Sequence, residues 1–206
     1  MKTTATTATM ILVAAMVSGN AVAKTPARAD TGRKVTVYFT DSASVPFAVR
    51  VAAQGTASKM FAEIGVTLDW RDGHPKSSDS NPIVIEYVTN TPADRLPGAL
   101  AFALPFEGVH ISIFWDRIGG FPVARELMAH VMVHEITHIL QGVARHSDDG
   151  VMKARWTAED RAEMKVKALS FTSYDAELIN RGLDARAAGT VTRPTSEVTA
   201  AVEVRN

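Results

Sequence analysis

His134-Glu135-Ile136-Thr137-His138, followed by Gly142, His146 and Met152, is the stretch from which the rest of the chain is best read. Two imidazoles stand four residues apart with a carboxylate beside the first. On an α-helix, positions i and i+4 lie one above the other on the same face. His134 and His138 are therefore placed to close on one Zn²⁺ at the roughly 2.0–2.1 Å of a zinc–imidazole bond. Glu135 points about 100° further round the helix, toward a water rather than the metal.

The surrounding residues sharpen this. From about Pro122 to Gln141 the sequence is apolar almost all round (Leu127, Met128, Ala129, Val131, Met132, Val133, Ile136, Ile139, Leu140), which predicts a buried helix. An unpaired carboxylate in such a place costs several kcal/mol or must be neutralised. A metal accounts for His134, Glu135 and His138 together, whereas hydrogen bonds alone suffice for His130, one turn earlier. Gly142 permits the left-handed geometry of a sharp reversal. That reversal would bring His146, eight residues beyond His138, back over the helix as a third ligand. Three protein ligands and one open position is the shell of catalytic zinc.

Outward from this helix, the chain alternates between strand and helix patterns. Lys34–Thr40, Val66–Trp70, Ile83–Val88, Ala99–Leu104 and Val109–Trp115 read as strands. Val45–Ile64 carries apolar residues at helical spacing and is closed by Gly65. Residues 72–82 are turn chemistry throughout and predict an exposed loop. Thr157-Ala158-Glu159-Asp160 reads as an N-cap with acids in the first turn of a helix reaching about Ser170, and a weaker helix lies within 173–186. The fold class expected is α+β, a mixed, twisted sheet packed on helices, one of them the buried zinc-binding helix, in one domain over 33–187.

Both ends read differently. Lys2, the apolar run Met10–Val17 and Ala21-Val22-Ala23 predict a signal peptide over 1–23, cleaved before Lys24. The run is short of the roughly 20 residues of a membrane span. Residues 24–32 read as a linker and 188–206, rich in Thr, Ser and Pro, as a disordered tail. The expected destination is the periplasm or the exterior, with no membrane attachment once the signal is removed. The 206-residue chain has 22 basic and 22 acidic residues, a formal net charge of +0, which argues against a nucleic-acid partner. It has no cysteine, which excludes disulfides, a thiol nucleophile and any Cys-ligated metal.

The constellation resembles the metzincin clan of zinc peptidases, H-E-x-x-H-x-x-G-x-x-H followed by a methionine in a tight turn. Within that clan it is similar to a divergent, small, secreted bacterial family. The resemblance implies His134, His138 and His146 as ligands, Glu135 as general base, Gly142 as the turn and Met152 as the Met-turn. Here the pattern is longer by one residue on each side of Gly142. The resemblance also implies an extended peptide or protein substrate paired to an edge strand, for which Ala99–Leu104 stands in the right place. Tyr174, Arg145 and Arg155 are candidate oxyanion donors. His74 and His110 have no link to the motif. Asp148 and Asp149 could ligate the metal or Ca²⁺, but a turn beside Gly150 is the simpler account.

Other readings stay open at this level. In a gluzincin-type peptidase the third ligand is a Glu on a later helix, here Glu159 or Glu163. A metal-dependent endoribonuclease also clusters histidines on a helix, but neutral charge and Glu135 fit it poorly. A secreted non-catalytic zinc-binding domain would need no base beside the ligands.

Overall fold

Tertiary packing in this chain begins from a parallel β-α-β unit. A computed structural model describes residues 33–40, 44–105, 107 and 109–189. The expected signal peptide, linker and most of the expected tail lie outside them. Strand β1 (Arg33–Phe39) leads through helix α1 (Phe47–Glu63) to strand β2 (Val66–Asp72), which pairs parallel with β1 from Arg33↔Val66 to Phe39↔Asp72. Parallel neighbours need such a crossover. Helix α1 buries the stripe Ala53, Ala57, Met60 and Phe61, spaced by helical turns. It begins at Phe47 rather than Val45, because Pro46 disfavours helical geometry in the residue before it. Gly65 ends it at φ 76°.

Strand β3 (Ile83–Val88) pairs parallel with β1, and strand β5 (His110–Phe114) parallel with β3. The short strand β4 (Ala101–Ala103) runs antiparallel to β5, Phe102 facing Ser112, and forms an edge. The five strands stand in the order β2-β1-β3-β5-β4. The sheet is thus mixed and the fold α+β, as the alternation predicts. Val35, Val37, Phe39, Ile83, Ile85, Tyr87, Ile111 and Ile113 alternate onto the face that forms the core with α1 and α3 (Ala124–Gln141). The opposite face carries exposed Lys34 and Glu86. Part of that face is covered by the 73–82 loop, since the Tyr38 hydroxyl donates to Asp79 at 2.6 Å and Tyr38 is buried.

Further boundaries differ from expectation. Trp115 does not extend β5 but opens a one-turn helix, α2 (Trp115–Ile118), and α3 starts at Ala124, two residues after Pro122. Val123 is not helical (φ −110°, ψ 28°), so Pro122 lies in the turn that feeds the helix. Helix α4 (Ala158–Met164) stops six residues before Ser170, as the chain bends back and the Leu169 N–H is taken by His130 Nε2 at 3.0 Å. Helix α5 (Ser173–Ala187) then packs on the end of α3. Its Gly182 is required there: a Cβ would sit 1.7 Å from the Leu140 carbonyl oxygen. Among the described residues no helix is long and apolar enough to cross a membrane.

Candidate metal centre

Every residue of α3 from Leu127 to Gln141 is buried, so the helix carries His130, His134, Glu135 and His138 inside the protein. The i, i+4 spacing stacks His134 and His138 with ring centroids 4.6 Å apart and Nε2 atoms 2.9 Å apart. His134 Nδ1 lies 2.8 Å from the Val151 carbonyl oxygen, and His138 Nδ1 lies 3.2 Å from that of Val143. A carbonyl oxygen only accepts, so both Nδ1 atoms carry the proton and both rings are fixed with Nε2 lone pairs facing each other.

Two facing lone pairs at that distance repel unless a positive species lies between them. A proton is a poor choice. Burial holds His134 well below the ordinary imidazole range, reinforced by His138 and His146. Burial, with His146 beside it, pushes His138 down to about 3. A divalent cation shared by neutral imidazoles resolves the conflict, and backbone carbonyls on the far nitrogens are the usual outer support of such ligands. Tetrahedral zinc with bonds of about 2.0–2.1 Å spaces its nitrogens roughly 3.3 Å apart, so the 2.9 Å separation needs to open by only a few tenths of an ångström.

The third imidazole comes from the loop. Gly142 takes φ 65°, its N–H donating to the His138 carbonyl, and reverses the chain as expected. His146 arrives half-buried with its ring 5.2 Å from His134 and 5.0 Å from His138. Ligand atoms of the three histidines all lie within 4.8 Å of one another. Three imidazoles with no cysteine to compete form a donor set that fits Zn²⁺. Among the described residues the group has no fourth member.

The expected Met-turn acts through its backbone. Gly150–Met152 forms a single 3-10 turn with Met152 fully buried, and the Val151 carbonyl of that turn is the one that orients His134. Ser147 N–H donates to the Met152 carbonyl at 2.8 Å, closing the loop on itself. Gly150 (φ 72°) passes so near the chain that a Cβ would meet the Ser170 carbonyl oxygen at 2.3 Å. Lys153 anchors the exit to Asp160 at 2.7 Å. Trp156, buried, sets its ring edge-on to His134 at 5.6 Å and to His130 at 6.2 Å.

The remaining candidates separate cleanly. Glu135 is fully buried next to His134 in the chain. His130 is a satisfied core residue, its Nδ1–H directed to the Glu126 carbonyl at 2.6 Å and its Nε2 accepting from Leu169. Glu159 and Glu163 are exposed on α4 and stand outside the histidine cluster. His74, His110, Asp148 and Asp149 are exposed and also outside it. Arg145 is engaged with Asp175 at 2.7 Å and lies 4.8 Å from the Tyr174 ring centroid, so both candidate donors shape the loop. Arg155 is exposed.

One participant was not evident from sequence: Asp175. Its side chain is fully buried and accepts from Arg145, Ser147 and Thr172. Burial raises its carboxyl, but hydrogen bonds from Thr172, Ser147 and Arg145 outweigh that and hold it below the usual range. The signal available was Thr172-x-x-Asp175, a capping-box pattern that the structure forms at the start of α5.

No protein-family model matches this chain, and no curated protein matches it. Solved structures do. Archaemetzincin from Methanopyrus kandleri is 16% identical, covering 76% of this chain and 98% of its own, with a TM-score of 0.48. Archaemetzincin from Archaeoglobus fulgidus, complexed with malonate, is 15% identical over 70% of this chain and 99% of its own, with a TM-score of 0.47. A zinc-dependent peptidase from Methanocorpusculum labreanum is 12% identical over 71% of this chain and all of its own, with a TM-score of 0.50. The last of these likenesses shows a common fold.

Proposed function

We propose that this chain is an exported zinc-dependent endopeptidase of metzincin type. His134, His138 and His146 hold the metal and Glu135 serves as general base. The observation that carries the reading is the convergence of two Nδ1-protonated imidazoles, with Nε2 atoms 2.9 Å apart, beside a buried glutamate on the same helix. A site that closed zinc for structure alone would supply four protein ligands and no base.

Zn²⁺ held by His134, His138 and His146 would supply Lewis acidity, polarising a carbonyl and bringing the pKa of a water to about 7. Glu135 accepts the proton of the water that attacks the scissile carbonyl, and returns it to the nitrogen of the departing amine. The Val151 and Val143 carbonyls keep His134 and His138 in one tautomer, so neither ring can turn away or take up the wrong proton. Strand β4 lies at the sheet edge and packs beside α3, which suits backbone pairing with an extended peptide. The domain responsible spans 33–187, with 1–23 removed on export.

Glu135→Gln keeps the size of the side chain and removes the base. The variant should bind one zinc as wild type does and lose about 10²–10⁴-fold in hydrolysis of an unfolded protein substrate. Wild-type turnover by the zinc-loaded variant would refute the assignment of Glu135.

A further inference from the structure

The third histidine stands on a loop, where helical spacing does nothing to aim it. Its two chain neighbours point to what does. Arg145 Nη1 donates to Asp175 Oδ1 at 2.7 Å, and Ser147 Oγ donates to the same oxygen at 2.7 Å. Arg145 Nη2 in turn donates to Ser147 Oγ at 3.0 Å, so the residues on either side of His146 are tied to one another as well. The other oxygen, Oδ2, accepts the Thr172 hydroxyl at 2.6 Å and the Thr172 N–H at 3.1 Å. Asp175 sits in the first turn of α5 and is fully buried, and the Gln141 side-chain amide at the end of α3 reaches its backbone carbonyl at 3.3 Å.

The geometry points to Asp175 as a positioning residue for the metal site. Its carboxylate clamps Arg145 and Ser147, fixes His146 between them, and thereby sets how tightly and in what geometry the three histidines hold the ion. This rests on the three-histidine reading of the site. The chemistry favours a carboxylate here over any neutral group. One ionised oxygen receives a guanidinium and a hydroxyl while the other receives two donors from Thr172, and charge-assisted bonds of this kind are about twice as strong as neutral ones. An amide offers a single acceptor oxygen, so Asn at this position must abandon either the loop or the helix cap. Outer partners of metal ligands commonly contribute about 10–100-fold in metal affinity, and this one acts on the ligand that lacks helical support.

The test compares Asp175→Asn, Ser147→Ala and Thr172→Ala with wild type. Zinc affinity is read by competition with a chromophoric chelator, and site geometry by the visible absorption of the Co²⁺-loaded proteins. Asp175→Asn should weaken zinc about 10–100-fold and change the intense tetrahedral Co²⁺ band. Ser147→Ala, which removes one bond and leaves the cap, should do the same to a smaller degree and covers the case in which Asp175→Asn does not fold. Thr172→Ala, which breaks the cap and spares Oδ1, should lower thermal stability with zinc affinity and Co²⁺ spectrum unchanged. Wild-type affinity and spectrum in both Asp175→Asn and Ser147→Ala would overturn the positioning role, as would an equal loss in Thr172→Ala. Failure of the wild-type protein itself to take up metal would instead overturn the three-histidine reading.

Discussion

The two halves of the metal centre are built by different means. His134 and His138 stand on α3, where one helical turn stacks them and a fully buried surround fixes their rings. His146 stands on the loop after Gly142, where its place is set by Asp175, 29 residues further along, and by a turn that closes Ser147 onto Met152. The first half is local and periodic, and a helix that forms at all presents both imidazoles together. The second half is assembled only when α5 docks. Tertiary packing therefore places the third ligand outright, whereas for the first two it sets only the turn of the rings, through the Val151 and Val143 carbonyls.

The strongest way to break this arrangement is to move α5 without touching either half. Gly182→Ala places a methyl 1.7 Å from the Leu140 carbonyl oxygen and 2.8 Å from its carbon, and backbone cannot yield as a side chain would. Overpacking of this kind costs about 1–3 kcal/mol, with the upper end expected here. Denaturant midpoints of the metal-free variant would measure it, and the displacement should weaken zinc through His146.

A second, smaller effect separates charge from shape. Asp175→Asn should lose about 1–3 kcal/mol at neutral pH, the usual cost of leaving buried donors without their acceptor. The Asp175 carboxyl is held below its ordinary range by Thr172, Ser147 and Arg145, against the opposing effect of burial. Its contribution is therefore complete above the unfolded carboxyl value of about 4 and is lost as pH falls through the lower folded value. The stability gap between wild type and variant should stay constant from pH 7 to about 5 and narrow below about pH 4. A gap that widened on acidification would contradict the ionised clamp.

The smallest effect concerns the joint between the halves. Gly142 adopts φ 65° but has open space where a Cβ would go, so only backbone geometry demands glycine. Gly142→Ala should cost about 1–2 kcal/mol and Gly142→Asn less, both with zinc still bound. Thermal unfolding of the two variants checks the order.

How much of this was legible beforehand follows the same division. Period-two and period-3.6 patterns placed β1, β3 and the end of α3 within a residue, because those elements answer to local burial. Thr157 caps α4 as its position predicts, and Asp160 in the first turn completes a capping box with it. Pro46 displaces the start of α1, and beyond the early end of α4 the chain places its Leu169 N–H on His130, on another helix. No local pattern announces a bond across 39 residues. At the site, His134, Glu135 and His138 could be read as a unit, and Gly142 marked the reversal. The Val143 and Val151 carbonyls left no trace because any residue supplies a backbone oxygen. Asp175 was hidden for a related reason: its cap signature with Thr172 is visible, but the second use of the same carboxylate depends on where α5 docks.

The proposed metal centre requires three imidazoles, one of them from the loop, to meet at a single ion. X-ray absorption at the zinc K-edge of the purified, zinc-loaded protein tests this most directly. It should give three imidazole nitrogens at about 2.0–2.1 Å, and two in His146→Ala. A shell of two imidazoles with a protein carboxylate in wild type, unchanged by His146→Ala, would contradict it.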